Sequence, residues 1–283
     1  MRPDISHSLP IELLESFSVL LTASFDNFQQ CWQQQTEEEQ HQVSIKKPHR
    51  HWHLDFEPLE QGFTGTRWWK VNYFEERNSA VGKEEFWRVQ VGENGTQLHC
   101  YHYQDQAASD QAHIRSWIWK ATESGFIAEN ASGKPVAWLD QTQLRVHFDE
   151  GVLAHPDNAY CLLRCRYFAG WIEAPIPGKE EEMHRQGNLQ IHDQGGLIKL
   201  LDSSSNPSGY SVELTQLVYG KQIAIMKLAI YQEEHSGISY NSKAISYTWT
   251  NPEAKRIGIN LRFISSGWTL IEPGFINSDR LNQ

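Results

Sequence analysis

The chain has 283 residues, 21% of them charged, with a formal net charge of −10 and a mean hydropathy of −0.57. That length can bury one large core or two smaller ones. An acidic balance with no basic run beyond Lys46, Lys47, His49 and Arg50 excludes nucleic acid as the main partner, because phosphate neutralisation needs a clustered basic face. No stretch approaches the roughly 18 consecutive apolar residues that span a membrane.

The first residues, Met1 to Ser8, hold no apolar run and no small-residue cleavage site, so the expected location is cytoplasmic. Four cysteines, Cys31, Cys100, Cys161 and Cys165, are too few for a disulfide scaffold in so long a chain, and free thiols are expected. The aromatic fraction is 12%, with eleven tryptophans, which favours all-β architecture.

Residues 10–22 read as a helix. Pro10 suits its first turn, and Leu13, Leu14, Phe17, Leu20 and Leu21 recur at helical spacing. Phe25, Asp26 and Asn27 break it, and Asp26 or Asn27 can cap a second, Gln- and Glu-rich helix running to about residue 40. From His49 the pattern turns to strands. Trp52, Leu54 and Phe56 alternate with His51, His53 and Asp55. Residues 67–76 pack Trp68, Trp69, Tyr73 and Phe74 beside Arg67, Lys70, Glu75 and Glu76, with Trp69, Val71 and Tyr73 on one face. Further strands are read at 86–91, 98–103, 117–120, 136–140 and 144–148, with Asn94 and Gly95 in a hairpin turn after the first of these.

Residues 151–158 read as a connection between two halves. Residues 160–173 form a long strand or a bent pair, and Pro175 to Gly178 open an acidic loop at Glu180, Glu181 and Glu182. Strands follow at 189–192, 197–201, 211–219, 222–231, 245–249 and 257–264. The pattern predicts an all-β, antiparallel up-and-down barrel of the lipocalin kind, preceded by two helices. Residues 1–150 would hold the helices and a β-barrel. Residues 151–283 would either complete one large barrel or form a second.

His51 and His53 share a strand face, a spacing open to metal ligands, but no third ligand stands at motif spacing and no metal site is expected. Cys161 and Cys165 lie four apart, about 13 Å in a regular strand at ~3.3 Å per residue, which suits core packing rather than a disulfide. There is no Gly-x-Ser-x-Gly elbow, Walker loop or dinucleotide fingerprint, so no catalytic residue is assigned and no cofactor is expected. Asp193, Gln194, Gly195 and Gly196 read as a turn. The best binding candidates are aromatic. Trp69 and Tyr73, with Trp87, Tyr101 and Tyr103 on neighbouring strands, would line a flat pocket for a hydrophobic small molecule, and Arg67, Lys70 or Arg88 would meet its carboxylates. The alternative is that these rings simply fill the barrel.

A helix runs into Ser24-Phe25-Asp26-Asn27-Phe28-Gln29-Gln30, a later strand reads His53-Leu54-Asp55-Phe56-Glu57-Pro58-Leu59, and the aromatic strand is followed by Phe86-Trp87-Arg88-Val89. In these stretches the first hundred residues resemble the CpcT/CpeT-type chromophore lyases of cyanobacteria. The resemblance implies a calycin barrel that holds a linear tetrapyrrole (a bilin) and delivers it to a cysteine of a phycobiliprotein subunit. The departures are a Glu-Gln pair of the family that falls near Asn72 and Tyr73 or else shifts to Glu75-Glu76, Asp193-Gln194-Gly195 as the nearest counterpart of an Asp-Arg-Gly pattern, and a tail from Ile238 to Gln283 without a match. A second expectation is therefore a non-catalytic, lipocalin-like carrier or protein-assembly factor, whose extra strands form a protein-binding surface.

Overall fold

A computed structural model describes residues 8–41, 48–60, 65–75, 82–106, 113–147, 159–176, 179–202, 206–219, 223–232 and 243–272. The chain divides into two compact units. One comprises Met1–Gln34 and Ser44–Arg164, the other Gln35–Val43 and Cys165–Gln283.

The first unit opens with helix α1, Ser8–Leu21. Leu14, Phe17 and Leu21 fall three and four residues apart, so they share one face, and all three are buried. A three-residue strand, β1 (Ser24–Asp26), leads into helix α2 (Phe28–His41), of which the part up to Gln34 belongs to this unit. Nine strands follow: β2 (Trp52–Leu59), β3 (Thr66–Glu75), β4 (Lys83–Val91), β5 (Gln97–Tyr103), β6 (Arg115–Ala121), β7 (Gly125–Glu129), β8 (Pro135–Asp140), β9 (Gln143–Val146) and β10 (Tyr160–Arg164). Each pairs antiparallel with the next, and β1 sits between β10 and β2, closing a ten-stranded barrel. Phe25 makes the closure, with Arg164 as its neighbour on one side and Leu54 on the other.

Alternation along each strand decides what lies inside. Leu54 and Phe56, Trp69 and Val71, Trp87 and Val89, Leu98 and Cys100, Trp117 and Trp119, and Leu144 and Val146 all point inward and belong to one buried cluster. Edge-to-face ring contacts run through it without a break. Phe17 meets Trp119 at 5.2 Å between centroids, then Trp119–Trp117 6.0 Å, Trp117–Trp87 5.5 Å, Trp87–Phe56 5.0 Å and Phe56–Phe25 5.8 Å. Helix α1 packs on β3 and β4 and also on β7 and β8, which stand on opposite sides of the barrel, so it lies across one barrel end.

The second unit contains β11 (Tyr167–Ile176), β12 (Lys179–His192), β13 (Gln194–Leu201), β14 (Pro207–Tyr219), β15 (Ile223–Gln232), β16 (Ser246–Thr250), β17 (Arg256–Asn260) and β18 (Ser265–Leu270). They form two antiparallel sheets, ordered β12-β11-β18-β17 and β13-β14-β15-β16. Phe168, Ile172 and Trp268 from the first pack with Val212, Leu214, Leu228 and Ile230 from the second in a single core.

Several sequence expectations change here. The chain does break between two helices at residues 25–27, but residues 24–26 also form a strand, and β7 and β18 are additional strands. The acidic stretch at Glu180, Glu181 and Glu182 is part of β12 rather than a loop, since β12 pairs with β11 from Lys179 onward. Residues 160–173 fall in two strands, β10 and β11, which stop and start at Arg164 and Tyr167. The connection expected at 151–158 lies outside the described residues.

Candidate functional site

The residues that close the barrel also explain the Phe25-Asp26-Asn27 stretch. Asn27 is fully buried. Its amide nitrogen donates to Arg50 O at 2.9 Å, and its oxygen accepts from Trp52 N at 2.6 Å. Gln30 does the same for β10, donating to Ala159 O and accepting from Cys161 N. Asp26 accepts from Phe28 N at 2.6 Å at the start of α2. It also takes His51 Nε2 at 2.8 Å and His53 Nδ1 at 3.2 Å, while His53 Nε2 faces Asp55 Oδ1 at 3.0 Å. Burial pushes the Asp26 carboxyl up, but the two imidazoles outweigh it and hold it below the usual carboxylate range. His51 and His53 thus serve as carboxylate partners that anchor β2 to the start of α2.

The main buried polar group inside the barrel lies toward the end away from α1. Glu85 shares the inner face of β4 with Trp87 and is 1% exposed. Its carboxylate accepts Arg115 Nη2 at 2.5 Å, Lys83 Nζ at 2.7 Å and Tyr73 OH at 3.0 Å. Arg115 also donates through Nε to His102 Nδ1 at 3.2 Å, and His102 Nε2 stands 3.6 Å from Cys100 Sγ. His102 is sandwiched by Trp87 at 4.2 Å and Trp117 at 4.4 Å. Burial would raise the Glu85 carboxyl, but Arg115 and Lys83 hold it below its ordinary value. Burial, and then Arg115, push His102 well below 6.5, and burial pushes the Cys100 thiol far up. The ionised members are one carboxylate and two cations, beside a neutral imidazole and a neutral thiol.

Cys100 and His102 therefore have the residue types of a nucleophile and its base with the wrong electrostatics. A reactive thiolate needs a lowered pKa and access, and both are lacking at a wholly buried Cys100. Cys161 is likewise pushed up by burial, and its thiol donates to Gln143 Oε1. None of the four cysteines is in a disulfide.

The structure divides the expected ligand residues between the two faces of the sheet. Trp69, Tyr73 and Trp87 point inward, each 1% exposed. Trp69 Nε1 donates to Thr22 Oγ1, and Tyr73 contacts Trp52 at 6.4 Å. Register puts Arg88, not Trp87, opposite Tyr101, and Phe86 opposite Tyr103. Tyr101, Tyr103 and Trp68 consequently surround the Arg88 guanidinium on the outer face, 5.0, 5.5 and 5.7 Å from it. Arg67 is exposed and bridges to Glu15 of α1 at 2.5 Å, and Lys70 pairs with Glu84.

Glu85 and Arg115 carry no site reading in the sequence. A signal existed for Glu85. Extending the alternation of Trp87 and Val89 two residues back places a carboxylate on the apolar face. Lys83 and Arg115 lie on flanking stretches whose strand character shows only in the sheet.

The second unit has its own buried carboxylate, Asp193, at the step from β12 to β13. It accepts Arg166 N at 3.0 Å, Arg166 Nε at 2.6 Å and Gln216 Nε2 at 2.6 Å. Arg166 also donates to Pro252 O. The turn read at residues 193–196 is thus a tied corner, with Gly195 at φ +79° and Gly196 against His192 O.

No protein-family model matches the chain, and no curated protein is similar to it. Among the described residues, no helix is long and apolar enough to cross a membrane.

Proposed function

We propose that this chain is a non-catalytic carrier or assembly factor built on a calycin-like barrel, which recognises its partner through outer surfaces rather than a cavity. The observation that carries this reading is the filled interior. Trp69, Trp87 and Trp119 are at most 1% exposed, and their rings touch other side chains of the same barrel. A flat ligand of bilin size would have to displace several of them, at a cost set by the packing density of such cores. The electrostatics of Cys100 and His102 also speak against covalent chemistry there. The resemblance over the first hundred residues names the partner class, a phycobiliprotein subunit. Sedimentation of the chain with an apo-phycobiliprotein subunit is expected to give a complex. Independent sedimentation of the two would remove that partner.

A second reading, bilin binding within the barrel, draws on one specific feature. Lys83, Arg115 and Tyr73 converge on Glu85, which shares the inner face of β4 with Trp87, and an arriving propionate would take the place of the Glu85 carboxylate. On this reading Lys83→Ala and Glu85→Gln change the affinity for a linear tetrapyrrole, measured by its visible absorbance. Identical titrations for wild type and both variants would sink it.

A further inference from the structure

Strand β16 shows an inverted pattern. Its register on β15 sets Thr250, Thr248 and Ser246 beside Met226, Leu228 and Ile230, which are core residues. Tyr247 and Trp249 therefore project to the opposite face, where they are 63% and 65% exposed. A slip of one residue would exchange these sets and bury both rings, so the pairing holds the large aromatics outward against the hydrophobic gain of the other register. The Lys227 ammonium lies 5.4 Å from the Tyr247 ring, which leaves most of that ring free of protein contacts.

The strand is also an edge. The sheet order ends at β16, so one row of its backbone groups is unpaired within the sheet. The three other edge strands of this unit carry charge: Glu181, Glu182 and Arg185 in β12, Lys199 in β13, and Arg256 in β17. Such charges block strand addition. The sequence of β16, Ser-Tyr-Thr-Trp-Thr, has no charge and no proline, and every residue favours extended backbone except its terminal serine. Among the described residues, β16 is thus the edge strand of this unit that carries no charge, and it displays two aromatic rings.

We infer that β16 is a self-pairing edge whose occupant is β16 of a second copy of this chain. The chemistry is self-complementary. An antiparallel pair about a two-fold axis at Thr248 sets Tyr247 opposite Trp249 of the second copy, and Trp249 opposite its Tyr247. Both cross-strand pairs are aromatic and lie on one continuous outer face. Five paired residues a side fall short of the roughly 1,200–2,000 Å² of a standard interface, which makes this a reversible, concentration-dependent dimer. This inference does not rest on the assembly reading and survives its failure.

The test is sedimentation velocity of the full chain over a wide concentration range, with hydrogen exchange at residues 246–250. The 32.7 kDa monomer should give way to dimer as concentration rises, with amide protection of β16 appearing in step. Tyr247→Glu combined with Trp249→Glu should stay monomeric throughout, at a melting temperature close to wild type, because neither side chain is buried and the new carboxylate at 249 stands opposite Lys227. A wild type that is monomeric at every concentration overturns the proposal and leaves the face to a different partner. A dimer that persists in the double variant, or forms without protection of β16, overturns it equally.

Discussion

The Glu85 carboxylate lies 2.5 Å from Arg115 Nη2 inside the barrel, where only its own chain supplies partners. Lys83 completes the neutralisation from the other side, at 2.7 Å. Removing one partner of a buried pair costs more than the pair itself contributes, because the remaining charge is left dehydrated. Arg115→Met should therefore destabilise the first unit by about 3–5 kcal/mol in urea unfolding. Glu85→Gln should cost less, since Lys83 and Arg115 are both partly exposed and can turn to water. Equal and small effects for both variants would mean that the network contributes little.

His102 makes stability depend on pH. Held neutral between Trp87 and Trp117, it binds a proton only well below 6.5, whereas the unfolded chain takes one up near that value. Stability from this group is therefore complete above 6.5 and declines as pH falls below it. The melting temperature should drop from pH 6.5 toward pH ~5, and His102→Phe should lack this limb whatever its value at pH 8. Asp26 and Glu85 have carboxyls held below 3.8 and 4.5, so their contribution is present above those values and is lost only in stronger acid. A His102→Phe variant that keeps the decline above pH 5 would assign it to another histidine.

Phe17 is the point at which α1 enters the barrel core. Its ring contacts Trp69, Trp119 and Phe126 at 6.2, 5.2 and 5.1 Å, and it is fully buried. Phe17→Ala should cost about 3–5 kcal/mol, the usual range for a buried phenylalanine. Val19, on the exposed side of the same helix, should tolerate alanine within about 0.5 kcal/mol. Thermal unfolding of the two variants compares them directly.

The corner at Asp193 has little room for change. A Cβ at Gly196 would stand 2.3 Å from His192 O, a backbone atom that cannot swing away. Gly196→Ala should destabilise the second unit by roughly 1–3 kcal/mol, and Asp193→Ala by more, since Arg166 and Gln216 both lose their acceptor. Limited proteolysis should then cleave the second unit first, whereas cleavage starting in the barrel would contradict that assignment.

The strands that alternate cleanly were legible in the sequence. Trp52, Leu54 and Phe56, or Trp87, Val89 and Val91, announce a half-buried strand with little ambiguity. β1 could not be read so, because three residues are too short for a period and Asp26 and Asn27 look like cap residues. Asp26 does meet the start of α2, yet it also belongs to β1, the strand that completes the barrel. The site was less legible than the fold. Aromatic residues on adjacent strands share a face only if the register allows it, and a one-residue difference sends Tyr101 outward beside Arg88 while Trp87 stays inside. Register is set by pairing across the sheet and by turn geometry, which spacing along one strand does not contain.

The claim that the barrel is filled by its own side chains is tested most directly by titrating a linear tetrapyrrole into the purified wild-type chain. Visible absorbance and the melting temperature would be followed together. The filled interior predicts a bilin spectrum unchanged from free solution and no rise in melting temperature. A saturable one-to-one spectral shift, accompanied by thermal stabilisation that Trp87→Ala alters, would contradict it.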